Sequence, residues 1–311
     1  MRKYHTLLMS VLCLLLLSAC NSNNNNTQEN NNTDTITVTN ANGEVTIPAD
    51  VERIVASNME DSLVALGITP VRQWAIGTTV HEYLQDELSD VPTIEWDMPL
   101  EQVIEAEPDL IVFSSPSAVP TGQLEDYQQV APTYVFTDED AADWRTQITV
   151  IGEMLGKEEL AADVLTAYDE EAAKASETIK AAIGDESVAA IWMIAGQYYV
   201  LENNRYSGTV LYDDLGLTMP TFIENLGDAT DATWSPISLE SLADMDADHV
   251  FLIAAEGETG LETLTASSIW QGTPAAKNGN VYEIVDDGSW TINGKIASDK
   301  VIDTVVEKLA K

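Results

Sequence analysis

His81 and His249 are the only imidazoles in the chain beyond its first twenty residues, so proton-transfer chemistry has little to work with. No Gly-x-Ser-x-Gly elbow, His-Glu-x-x-His helix or Gly-x-x-x-x-Gly-Lys loop occurs. His249 opens an apolar run and reads as a core histidine, which leaves His81 as the one residue an enzyme could be built around. A transition-metal site made of side chains needs several His or Cys ligands, so bare zinc or manganese is disfavoured and no resident metal or cofactor is expected. What the residues can do is bind. In open α/β sheets, ligands sit at the carboxyl ends of strands. The first half carries Asn58, Trp74 and Ser114-Ser115 at predicted strand ends, and the second carries Trp192, Tyr198, Arg205 and Tyr206. Trp290, with Gly288-Ser289 before it and Thr291 after it, reads as an exposed turn that faces a ligand.

The elements that would position these residues come as two copies of one plan. Leu100-Glu101-Gln102-Val103 leads into Asp109 and the run Leu110–Phe113, and Leu239-Glu240-Ser241-Leu242 leads into Asp248 and Val250–Ile253. Eight residues separate glutamate from aspartate in both copies. Upstream lie Leu66-Gly67-Ile68-Thr69 and Leu215-Gly216-Leu217-Thr218. Between the copies, Glu158 to Ile183 runs 26 residues without Gly or Pro, with apolar positions from Leu160 to Ile183 at helical spacing. Such a helix is ~39 Å long and ends at Gly184.

The remaining elements fit this plan. Residues 35–47 read as a hairpin around Asn42-Gly43, and short apolar runs at 53–56, 71–76, 110–113 and 134–136 read as strands between helical segments. In the second half a helix is expected over 209–215 and another from Ser238 to Met245. The fold class is α/β: two Rossmann-like lobes, each a mainly parallel sheet flanked by helices, joined by one long α-helix. The lobes span 35–157 and 185–311, with the connector at 158–184. The 45% apolar content is enough to bury two cores of ordinary domain size.

The ends and the charge narrow the setting. Arg2 and Lys3 precede the apolar stretch Leu7–Leu17, too short to span a membrane, so residues 1–19 are expected to be a signal peptide. Leu17-Ser18-Ala19-Cys20 resembles the lipobox of bacterial lipoproteins, whose cysteine carries the lipid anchor. Residues 20–34 then form the lipidated cysteine and a disordered Asn-rich tether. The mature domain holds no further cysteine. Acidic residues number 52 against 14 basic ones, and losing Arg2 and Lys3 takes the formal charge from −38 to −40. That field repels nucleic acid and anionic lipid, and it suits a cell living in high salt.

Lipobox, tether, paired lobes and long connector together resemble the lipoprotein substrate-binding component of iron-siderophore ABC importers, of the ferric-hydroxamate and cobalamin-type binding proteins. The motifs that carry the likeness include Glu52-Arg53-Ile54-Val55, Pro108-Asp109-Leu110-Ile111, Tyr206–Tyr212 and Ala276–Tyr282. The resemblance implies a rigid clamp that opens only slightly, working as a monomer on the extracellular face of the cell membrane, or on the periplasmic side where an outer membrane exists. It implies that Glu101 and Glu240 dock on arginines of the permease, whose ATPase drives import. A glutamate in a helix's first turn also satisfies the helix dipole, worth ~0.3–1 kcal/mol. Some hydroxamate binders carry an arginine shortly before the first Leu-Glu, where this chain has Glu95-Trp96-Asp97, and stacking by Trp96 is expected in its place. With few basic residues, the ligand expected is a neutral or weakly charged ferric hydroxamate or citrate-hydroxamate, its iron held by siderophore oxygens. Ferric citrate, haem and cobalamin stay open as ligands, and an extracellular lipoprotein enzyme is the competing class.

Overall fold

Thr35–Asn40 (β1) and Gly43–Pro48 (β2) pair antiparallel with Asn40 opposite Gly43, so the turn is Ala41-Asn42, one residue earlier than the sequence predicts. The computed structural model describes residues 35–229 and 234–311; the expected signal peptide, Cys20 and the tether lie outside them. In the first lobe, Ile54–Val55 (β3), Leu110–Phe113 (β6) and Thr133–Val135 (β7) form a parallel sheet in the order β3-β6-β7. Beside it Gln73–Ala75 (β4) and Thr93–Glu95 (β5) make a second parallel pair. All four residues of β6 are buried, as expected for a parallel strand covered on both faces.

The second lobe has one sheet in the order β11-β10-β8-β9, from Val188–Ile194 (β8), Gln197–Val200 (β9), His249–Ala254 (β10) and Val281–Val285 (β11). Only β9 runs antiparallel, folded back on β8 through Ala195-Gly196, both with positive φ (51° and 73°). That backbone is uncommon for alanine. The Glu258 carboxylate holds it by accepting both N–H groups, at 3.0 and 2.9 Å.

The internal repeat is physical. Asp109 Oδ2 accepts the Arg53 and Glu52 N–H groups at 3.0 and 3.2 Å, and its own N–H donates to the Arg53 carbonyl at 2.8 Å. Asp248 Oδ2 accepts the Ser187 N–H and hydroxyl at 2.8 and 2.9 Å, and its N–H donates to the Ser187 carbonyl at 3.1 Å. One residue later the strands pair, Ile54 with Leu110 and Val188 with His249. Asp109 thus clips the start of β3 to β6, and Asp248 the start of β8 to β10.

The copies differ in their helices. Leu100–Glu105 is an α-helix, but the helix expected from Ser238 to Met245 is only a 3₁₀ turn at Ser241–Asp244, over Ser238 whose hydroxyl accepts the Ser241 N–H at 3.1 Å. Leu242 in the turn and Met245 just after it are buried and lie three apart, the repeat of a 3₁₀ turn. Likewise the predicted helix over 209–215 is a short α-turn, Ser207–Thr209, running into a π-turn, Val210–Asp214. His249 is a core histidine, its ring nitrogens 2.7 Å from Glu186 Oε2 and 3.0 Å from the Tyr282 hydroxyl.

The connecting helix spans Glu158–Ile183 and stops at Gly184, with φ of +65°. Its buried seam is Ala161, Tyr168, Ala172, Ala175 and Ile179; Leu160 is exposed. It packs against helix Trp144–Met154, where Gly152 lies so close to Ala161 that a Cβ would come within 2.7 Å of the alanine Cβ. It also packs against the closing helix Lys295–Leu309, which in turn contacts Glu60–Ala65 of the first lobe. Asp61 caps that closing helix from the other lobe, accepting the Ile296 and Ala297 N–H groups at 3.0 Å each. The apolar core is therefore continuous from Ile47 to Leu309 across both lobes, with a smaller cluster around Phe113 and Tyr127 in the first lobe.

Candidate functional site

At the carboxyl ends of β3 to β6 lies a pocket of about 390 Å³. Asn58 follows β3, Trp74 sits in β4, Trp96 follows β5 and Ser114 follows β6, and all four line it with Asp97 and Phe113. The structure thus brings Asn58, Trp74 and Trp96 together. Ser115 is not among the lining residues: its hydroxyl caps the 3₁₀ turn Pro116–Ala118, accepting the Ala118 N–H at 3.2 Å. Its neighbours Ser114 and Ser117 line the wall in its place.

Backbone contacts fix the two indoles. Trp74 donates its N–H to Glu60 Oε1 at 2.6 Å, and its ring stacks on His81 with centroids 4.5 Å apart. Trp96 donates its N–H to the Ala75 carbonyl at 2.9 Å, so β5 delivers it beside β4. Its side chain is 60% exposed, a large apolar surface open to solvent. Glu60 is 1% exposed, and burial pushes its pKa up from 4.5 to about 7 against the pull of its backbone hydrogen bonds. Its Oε2 and the Ser57 hydroxyl are buried without a partner. Burial also depresses His81 to about 4, so the imidazole beneath Trp74 is neutral at physiological pH. The His81 ring is held between Trp74 and Tyr83, with centroids 4.5 and 5.8 Å away.

The second lobe contributes an aromatic cluster. Trp192 and Tyr199 are direct cross-strand partners, with centroids 5.4 Å apart, and Trp234 packs on both at 5.1 and 5.8 Å. Tyr206 stacks on Trp234 at 5.6 Å, and the Arg205 guanidinium lies over the same ring at 4.8 Å. Arg205 is 8% exposed and donates to Glu202 Oε2 at 2.9 Å. The turn that aims Tyr206 is tight: its φ is +47°, and a Cβ on Gly208 would run into the Glu202 carbonyl.

Two residues expected on this wall are elsewhere. Tyr198 is 7% exposed and donates its hydroxyl to the Gly260 carbonyl at 3.1 Å, because strand alternation turns it to the face opposite Tyr199. Trp290 is 1% exposed, packed on Phe251 with centroids 5.2 Å apart, while its carbonyl accepts the Ser207 hydroxyl at 2.8 Å. Its turn is covered by neighbouring segments, so Trp290 is core. Sequence reading passed over Trp234 and Tyr199; the signal for Tyr199 was its position opposite Trp192 across the Ala195-Gly196 turn, and Trp234 had none.

The two aromatic sets are linked through the chain after β11. Trp192 donates its indole N–H to Asp286 Oδ2 at 2.7 Å, and the next carbonyl, of Asp287, accepts the Tyr83 N–H at 3.1 Å. Tyr83 lies against His81, and His81 against Trp74. Glu101 is exposed in the first turn of helix Leu100–Glu105, and Glu240 is exposed just before its 3₁₀ turn. Among the described residues no group of three or more His, Cys, Asp or Glu is placed to hold a metal ion, and no helix is long and apolar enough to cross a membrane.

Residues 54–287 match the family model described as periplasmic binding protein, and the chain belongs to that family. It is accordingly a substrate-binding protein, not an enzyme. It is 31% identical to the probable siderophore-binding lipoprotein YfiY of Bacillus subtilis, over 98% of both chains. It is 28% identical to the iron(3+)-hydroxamate-binding protein FhuD of the same organism, over 89% of this chain and 87% of that one. Its fold is similar to that of Staphylococcus aureus SirA, solved with staphyloferrin B, with a TM-score of 0.72, 26% identity and coverage of 88% of this chain and 98% of the other. Two α/β lobes joined by a long helix are the shared architecture.

Proposed function

We propose that this protein captures a ferric siderophore, a hydroxamate or citrate-hydroxamate complex, in the cleft between its lobes and hands it to an ABC permease and its ATPase. The observation that carries the reading is the pair of aromatic sets, Trp74 with Trp96 on one lobe and Trp192, Tyr199, Tyr206 and Trp234 on the other, linked at Asp286-Asp287. Flat apolar rings suit the organic shell of a chelate whose polar oxygens already hold the metal. Iron is cargo here, and the protein makes only outer contacts to it. The scarcity of basic residues disfavours a tris-catecholate, whose several negative charges would call for a cationic pocket. Relatives named for siderophore and ferric-hydroxamate binding support the same class. Lipid on Cys20 would hold the protein, as a monomer, on the outer face of the cell membrane, each acyl chain adding ~0.8 kcal/mol per buried methylene.

The test is tryptophan quenching and thermal melting of the full-length protein in detergent against ferric hydroxamates, ferric citrate, haem and cobalamin. A ferric hydroxamate should quench emission, and at about 100 times its dissociation constant add ~2.7 kcal/mol to stability. A response to haem or cobalamin alone, or to nothing, would refute the assignment.

A further inference from the structure

The first-lobe pocket is one-sided in charge. Its lining includes Trp74, Trp96, Phe113 and one ionisable residue, Asp97, and neither lysine nor arginine. Asp97 is exposed, follows the most exposed indole of the wall, and among the described residues joins no ion pair. The arginine of the facing lobe, Arg205, is engaged by Glu202 and by the Trp234 ring. His81, stacked on Trp74, is neutral. An indole face beside an open carboxylate attracts a cation: the ring quadrupole is negative on its face, and the carboxylate supplies a full opposite charge. The net charge of −38 extends the same preference beyond contact range and accelerates the arrival of cations.

We infer that Trp96 and Asp97, with Trp74 behind them, form a subsite for a cationic arm of the ligand, a primary ammonium carried by the siderophore. The inference rests on the proposed function and narrows it. Three hydroxamates neutralise Fe³⁺, so a ferric trihydroxamate with one free amine is a monocation, whereas anionic ferric complexes are repelled. The neutral chelate core meets the aromatic rings while the arm reaches the carboxylate. Specificity then comes from one lobe and bulk affinity from both.

The experiment compares two linear ferric trihydroxamates that are identical except that a terminal primary amine is free in one and acetylated in the other. Dissociation constants of the full-length protein are read by tryptophan quenching at low and at high salt. The free-amine complex should bind about tenfold more tightly, with the advantage shrinking as salt rises. Asp97→Asn should bring the amine complex down to the affinity of the acetylated one, abolishing the preference between them, whereas Asp97→Glu should keep the preference. Trp96→Ala should weaken the amine complex more than the acetylated one. Equal affinity of the wild type for both complexes, or an equal loss of both in Asp97→Asn, overturns the cationic subsite while the siderophore assignment stands. Binding of neither complex overturns the cationic subsite, while a ferric citrate-hydroxamate that still binds keeps the siderophore assignment.

Discussion

Glu60 accepts the backbone N–H of Trp74 at 2.6 Å, which puts a fully buried carboxyl directly behind the aromatic wall. Its pKa is raised from 4.5 to about 7, so the folded protein holds this proton more tightly than the unfolded chain does. A raised carboxyl contributes stability that is complete below about pH 4.5 and is lost as pH climbs through about 7. The loss amounts to about 3 kcal/mol. Urea denaturation at about pH 5 and about pH 8 should show that decline in the wild type. Glu60→Gln should remove it, and an unchanged slope in the mutant would place the titration on another group.

Asp61 ties the lobes together by capping the closing helix across 235 residues of chain. Asp61→Ala leaves the Ile296 and Ala297 N–H groups without their acceptor and should cost ~1–3 kcal/mol. Gly294→Ala should destabilise comparably, because its Cβ would collide with the Asp61 carboxylate. Thermal melting of the two single variants and the double variant checks this; their effects should not add, since both act on one cap.

Trp290→Ala should cost ~3–5 kcal/mol of stability, as for a large aromatic removed from a packed core. Calorimetry reads it directly. A variant that melts normally but binds ligand poorly would return Trp290 to the ligand wall.

Trp74→Ala and Trp234→Ala each remove a ring from one of the two aromatic sets and should weaken ferric-siderophore binding by ~1–3 kcal/mol. Tyr198→Phe should leave affinity unchanged and cost only the hydrogen bond to Gly260, ~1 kcal/mol of stability. Quenching titrations and melts on the same three proteins separate the two effects.

Glu101 and Glu240 stand at equivalent points of the repeat, both exposed. Reversing both to lysine should spare siderophore affinity and abolish uptake into cells carrying the cognate permease, as expected if each carboxylate meets a permease arginine. Normal uptake by the double variant would reduce the two residues to helix-start glutamates.

Local pattern settled much of this protein. The sequence by itself determined the connecting helix over Glu158–Ile183 and its stop at Gly184, because helical periodicity and a glycine terminator are properties of neighbouring residues. It also determined the repeat, whose Asp109 and Asp248 make matching clips because the spacing to the following strand is the same in both copies. Asn58 and Trp74 were legible as neighbours because parallel strands expose their carboxyl ends together, whereas Trp96 was expected only through the family resemblance, in the place of an arginine. The tertiary structure alone decided which aromatics reach the second set. Tyr198 and Tyr199 differ only in the face of β9 that each occupies, and that face is fixed by pairing with β8. Trp290 sits among glycine and small polar residues that read as an exposed turn, yet Phe251 and the turn at Ser207 close over it. Those partners lie tens of residues away in sequence, and burial is set by what packs on a side chain, which only the assembled chain supplies.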